Sequence, residues 1–200
     1  LDTSRSMALI DTPKAAALHK LSAIFATAAT NARCSHAVWT TGEGFNRVPN
    51  DNQPPSAWGE FPVESAIPFE EAYGLLPPRL RRQGIRVIIS DLFWPGDPLP
   101  TLRKLTEDAA AVYVVQLLAQ SDVEPPDPGN VELIDHETGE TLSLYIDASM
   151  QQQYRQTLKR LQQSWHDAAR QTGAQLVTLV AEQIDNSLHR LEEINALEPA

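Results

Sequence analysis

The chain predicts an α/β domain: a doubly wound, mostly parallel sheet with helices on both faces and one inserted β-hairpin. Three observations carry this. Ile85-Arg86-Val87-Ile88-Ile89-Ser90 and the run 111–118 are short and apolar or β-branched, the pattern of strands buried on both faces of a parallel sheet. Segments of helical periodicity separate such runs, and the order strand, helix, strand, helix belongs to open α/β sheets. Between them, residues 131–134 and 141–146 alternate as Leu142, Leu144, Ile146, which marks an antiparallel pair with one wet face.

The elements follow in order. Thr12 and Pro13 open a helix over 13–33, with Leu18, Leu21, Phe25 and Ala28 on one face and His19 turned to solvent. Cys34 is read as a small core residue at its end. Residues 36–41 form a strand closed by Gly42 and Gly44, and 45–48 pair with it. The stretch 50–58, with Pro54 and Pro55, is a loop. Residues 65–76 form an irregular helix with Pro68 in its first turn. After Pro77 and Pro78, residues 79–83 form a basic helical turn ending at Gly84. The strand 85–90 is followed by Asp91, and a helix begins at Asp97-Pro98 with Leu99, Leu102 and Leu105 inward. The hairpin turns about Glu137-Thr138-Gly139-Glu140. The longest helix, 150–172, places Met150, Tyr154, Leu158, Leu161, Trp165 and Ala168 on one core face, and Gly173 caps it. A last strand, 176–180, and a last helix through Ile184, Leu188, Leu191 and Ile194 complete the chain.

Composition narrows the function. With 16 basic and 26 acidic residues the formal charge is −10, which argues against a nucleic-acid backbone or an anionic membrane as the main partner. A single cysteine excludes a disulfide framework and a cysteine zinc site. No apolar run is long enough to span a bilayer. The 200 residues are read as one domain, beginning so close to Asp2 that most of the first strand and any upstream region are expected to lie outside it. The expected location is the cytoplasm, with membrane association left to such an upstream region.

The chemistry concentrates at Leu1-Asp2-Thr3-Ser4-Arg5-Ser6. An aspartate and two hydroxyls at two-residue steps can converge on one hard cation, and magnesium takes oxygen ligands while keeping several waters. The same residues also suit a helix-capping loop. Ligands of open α/β sheets bind beyond the carboxyl ends of strands. Asp2 and Asp91 both follow predicted strand ends, so neighbouring strands would bring two carboxylates and two hydroxyls together. No glycine-rich phosphate loop is present. A nucleophilic Ser4 or Ser6 needs a histidine base, and His19, His36, His136, His166 and His189 have no neighbours that mark one; His136 and His166 are read as surface residues.

Asp2, Ser4 and Ser6, with Asp91 after Ile88-Ile89-Ser90, resemble the metal-ion-dependent adhesion site of the von Willebrand factor A domain. That site is built from Asp-x-Ser-x-Ser, a threonine on a second loop and an aspartate on a third. The threonine is the departure: Ser65 is the nearest candidate and Thr41 a weaker one. Val114-Val115-Gln116-Leu117-Leu118, the stretch from Gly129 to Gly139 and the helix carrying Tyr154 and Trp165 are similar to one bacterial family of such proteins, the "domain of unknown function 58" family. The resemblance implies one Mg2+ or Mn2+ held by Asp2, Ser4, Ser6, Asp91 and Ser65. It also implies a protein partner supplying an acidic side chain, with a MoxR-type AAA+ ATPase as the expected one in assembly or maturation. A binding module is expected, not an enzyme. The alternatives are a metal-assisted hydrolase and a scaffold with a vestigial site.

Overall fold

The computed structural model describes residues 1–9, 11–49, 53–94, 96–134 and 141–197. Three parallel strands form its centre, ordered β3 (Ile85–Ser90), β4 (Ala111–Leu118), β7 (Gln175–Val180). Two antiparallel pairs stand apart from it: β1 (Trp39–Gly42) with β2 (Gly44–Arg47), and β5 (Gly129–Ile134) with β6 (Thr141–Ile146). The helices are α1 (Lys14–Asn31), α2 (Phe69–Leu75), α3 (Leu99–Thr106), α4 (Gln120–Val123), α5 (Ala148–Thr172), α6 (Ile184–Ser187) and α7 (His189–Glu193).

Successive strand residues face opposite sides of a sheet, and this alternation creates two cores. Ile88, Val112 and Val114 point to one side, where Phe69 and Ala72 of α2, Leu102 and Leu105 of α3, and Trp165, Ala168 and Ala169 of α5 cover them. Ile89, Val115, Leu117, Val177 and Leu179 point to the other, covered by Ala17, Leu18 and Leu21 of α1 and by Ile184 and Leu191 of the last helices. Helices therefore lie on both faces of the parallel sheet, as expected.

Within this sheet β4 is central and β3 is outermost, contrary to the expectation of a buried interior strand at 85–90. Ile85 is 67% exposed. Only the carboxyl end of β3 is covered, where Asp2 donates its amide to the Ile89 carbonyl at 2.9 Å. The same short segment is stitched on its other side. The Leu1 amino group donates to Trp39 O, Thr41 N to Leu1 O, and Ser65 N to Thr3 O. Residues 1–4 thus take the place of a first strand between the sheet and the β1–β2 hairpin.

Several side chains depart from the sequence reading. Tyr154 is 38% exposed and donates its hydroxyl to Asp122 O instead of packing beside Trp165; α5 buries Trp165, Ala168 and Ala169 in its C-terminal half, and its first half is mostly solvated. Cys34 is exposed, because it lies past the end of α1. His19 is not solvated: its ring meets Phe61 edge-on, with centroids 4.1 Å apart, and Nε2 contacts the Phe61 backbone. Residues 79–83 form no helical turn, since Pro77 and Pro78 precede them and Gln83 takes φ +53 while donating to Asp108 O. The expected hairpin turn 137–140 and His136 lie outside the described residues. Gly173 adopts φ +76 as the α5 cap, as expected.

Trp165 is 2% exposed, packs edge-on against Trp94 with centroids 4.7 Å apart, and donates Nε1 to Leu92 O. Trp165→Ala is therefore expected to destabilise the domain by about 3–5 kcal/mol, read by urea unfolding; a change within error would show that this face carries little of the core. A second test sits at the β1–β2 turn. Gly44 has φ +97, and a Cβ there would lie 2.4 Å from Leu76 Cβ. Gly44→Ala should cost more than about 1 kcal/mol by the same measurement, and an unchanged midpoint would contradict the turn conformation.

Candidate functional site

The site is built where the strands stop. The row Ser90, Gln116, Thr178 runs across β3, β4 and β7 in register, one residue per strand. All three belong to the face covered by α2, α3 and α5, and they end the hydrocarbon core with hydroxyls and an amide. Ser90 Oγ donates to Asp2 Oδ2 at 2.6 Å and accepts from Leu92 N and Trp94 Nε1. Gln116 Nε2 donates to Asp91 O, while its Oε1 accepts from Thr178 Oγ1 and Gln162 Nε2. Asp2 and Asp91 are thereby placed by fixed dipoles.

Asp2 is 1% exposed. Its Oδ1 accepts from Ser4 N, an aspartate turn that bends the chain back over the carboxylate. Asp2 is thus part of the buried interior and not a solvated loop residue. Burial pushes its pKa above the usual carboxylate range and the neighbouring Asp91 pushes it further, against the bonds from Ser90 and Ser4. Ser4 and Ser6 stand together, with Oγ atoms 3.0 Å apart. The 3-10 turn Arg5–Ala8 behind them is anchored by fully buried Met7.

Ser65 reaches the same place through the backbone. It bridges Ser4 in a parallel pairing, with Arg5 N donating to Ser65 O. Its hydroxyl, however, turns to Ile67, donating to Ile67 O and accepting from Ile67 N. Thr41 is engaged elsewhere: its Oγ1 accepts from Thr3 N and lies 2.9 Å from Thr3 Oγ1.

Sequence reasoning missed the cation of the site, together with Asp122 and the row Ser90, Gln116, Thr178. Lys14 is fully buried, and its Nζ lies 3.0 Å from both Asp91 Oδ2 and Asp122 Oδ2. Asp122 also accepts from Ala119 N, and Asp91 Oδ1 accepts from Phe93 N. A signal was available: a cation at the first position of a helix opposes the helix dipole, so Lys14 needed a carboxylate partner.

In kind, the donors suit a hard divalent ion, being carboxylates and hydroxyls. In number they are lean. Among the described residues no group of three or more His, Cys, Asp or Glu is placed to hold a metal, and one oxygen of Asp91 already faces Lys14. No helix among the described residues is long and apolar enough to cross a membrane.

The fold and site define an α/β domain with a buried polar, acidic cluster at the carboxyl ends of a parallel sheet. A family model described as "Protein of unknown function DUF58" matches residues 57–189, more than half of the chain, and the chain belongs to that family. Asp91, Asp122 and Ser65 fall inside the matched region; Asp2, Ser4, Ser6 and Lys14 precede it. The uncharacterized protein MAV169 of Mycobacterium avium is 36% identical over 102 residues, a match covering 50% of this chain and 58% of that protein. Among solved structures, the conserved hypothetical protein BatB from Bacteroides thetaiotaomicron aligns over 96% of both chains with a TM-score of 0.42 and 12% identity. An uncharacterized membrane spanning protein from Vibrio fischeri aligns over 99% of this chain and 96% of that one, with a TM-score of 0.25 and 15% identity. Neither superposition is close enough to carry an argument.

Ser90 is the residue on which the acidic pair rests. Ser90→Ala removes the donor to Asp2 and the acceptor of two N–H groups, and should cost on the order of 1–3 kcal/mol for the unsatisfied buried groups. Thermal unfolding at fixed pH checks this, and a midpoint equal to wild type would mean that the Asp2 contact is not made in solution.

Proposed function

We propose that this chain is a protein-interaction module of von Willebrand factor A type. In this reading Asp2, Ser4, Ser6 and Asp91 hold one Mg2+ or Mn2+, and an acidic side chain of a partner completes the coordination. The observation that carries it is the convergence at the end of β3: the carboxylate of Asp2 is bonded to Ser90 beside Asp91, with the Ser4 and Ser6 hydroxyls 3.0 Å apart in the same turn. Burial and the neighbouring Asp91 raise the cost of ionising Asp2, and a divalent ion at this place offsets both. Ser65, held against Ser4 by its backbone, is the candidate for a further hydroxyl ligand. The partner proposed from the family resemblance is a MoxR-type AAA+ ATPase, in protein assembly or maturation.

Calorimetric titration of magnesium and manganese tests the site. Wild type should bind one ion, Asp2→Ala none, and Ser65→Ala more weakly than wild type but measurably, because water can replace one hydroxyl. Asp2→Ala also strips acceptors from Ser4 N and Ser90 Oγ, so its folding is verified first by circular dichroism. If folded Asp2→Ala binds as tightly as wild type, the metal lies elsewhere. Capture of the ATPase should require magnesium and fail in chelator; capture unaffected by chelator would remove the metal from the interaction.

A further inference from the structure

Lys14 sits where a metal-binding site has least use for it. It is fully buried, its ammonium divides 3.0 Å contacts between Asp91 and Asp122, and it faces the ring of Phe93 at 5.8 Å. Burying an ammonium at a helix N-terminus is costly on two counts, desolvation and the helix dipole. Two carboxylates offset that cost. Only one of them, Asp91, belongs to the proposed metal ligands. Asp122 comes from α4, after the next strand, and is held in place by Ala119 N. The ammonium therefore has one anchor it shares with the metal site and one it does not.

We propose that Lys14 is a tethered competitor cation. Its ammonium holds the Asp91 carboxylate until a divalent ion takes that oxygen, and Asp122 then keeps the ammonium in place alone. Charge balances at each step: Asp91 passes from one cation to another, and the ammonium never loses its last carboxylate. Metal affinity at this site is the difference between two cations competing for one carboxylate. This inference rests on the metal-site reading and adds to it the residue that sets its threshold.

The competition makes opposite predictions for the two anchors. Lys14→Met removes the competitor while keeping the length of the side chain, and should tighten magnesium binding by roughly tenfold or more, as the loss of one unit charge at contact distance requires. Asp122→Asn removes the private anchor and should weaken binding, since Lys14 then resists leaving Asp91. In the Lys14→Met background, Asp122→Asn should change affinity much less, because no ammonium needs parking. The measurement is calorimetric titration of magnesium chloride, and of manganese chloride in parallel, into the 200-residue wild type, both single variants and the double variant. Each protein is first shown to be folded by circular dichroism and thermal unfolding. A folded Lys14→Met that binds no more tightly than wild type overturns the proposal. If that variant does not fold, Asp122→Asn decides: affinity equal to or above wild type overturns it, and weaker binding supports it. Wild-type binding that is lost in Asp2→Ala yet unchanged in Lys14→Met overturns the competitor and leaves the metal reading standing. Absence of binding in every protein, wild type included, ends both.

Discussion

A buried ammonium has to be neutralised where it stands, and the meeting of α1 with the carboxyl ends of the strands follows from that requirement. Lys14 brings α1, the end of β3 and α4 to one point, because its two carboxylates lie 77 and 108 residues away along the chain. Breaking a buried pair by removing one partner typically costs several kcal/mol, since the remaining charge is stranded. The clamp therefore specifies where α1 begins relative to the strand ends. Leu18 and Leu21, one and two turns further along the helix, then join Val115 and Leu117 in one core.

Stability elsewhere is conventional. Strand alternation sorts the sheet into two hydrocarbon faces, and the aromatic series Phe45, Phe69, Trp94, Trp165 fills the side toward α5. The junction between these halves is residues 1–4. Their backbone groups bond to Ile89, Trp39, Thr41 and Ser65, so the acidic turn is held from both flanks before any ligand is considered.

Much of this was legible in the residues. The run 111–118 matches β4 in both bounds, because an octapeptide that is apolar but for Gln116 and the Tyr113 hydroxyl has few other uses between turn signals. Gly173 as the α5 cap and the pairing of 131–134 with 141–146 follow from equally local signals. Asp2, Ser4, Ser6 and Asp91 were singled out by spacing and by their places after strands. Long-range facts were not legible. Nothing local distinguishes the central strand from an outer one, so β3 was read as interior. Ser90 closes an apolar run; its bonds from Leu92 N and Trp94 Nε1 are local, but the Asp2 carboxylate, 88 residues away, is brought near only by the fold. Tyr154 lies on the right helical face for the core but half a helix too early to reach it. Ser65 was chosen for its hydroxyl, yet it meets Ser4 through its backbone.

The row Ser90, Gln116, Thr178 has a consequence for how polarity is graded along the strands. Ile88, Val114 and Leu176 are hydrocarbon, at the strand ends there are ions, and between them lies one layer of neutral dipoles. A carboxamide at position 116 passes directional bonds from Thr178 and Gln162 to the backbone of Asp91 without bringing a third negative charge toward Asp2 and Asp91. It works as an insulating layer that still transmits alignment. The backbone of Asp91 is thus referred to the far strand and to α5, while its carboxylate is met by the Lys14 ammonium and the Phe93 amide.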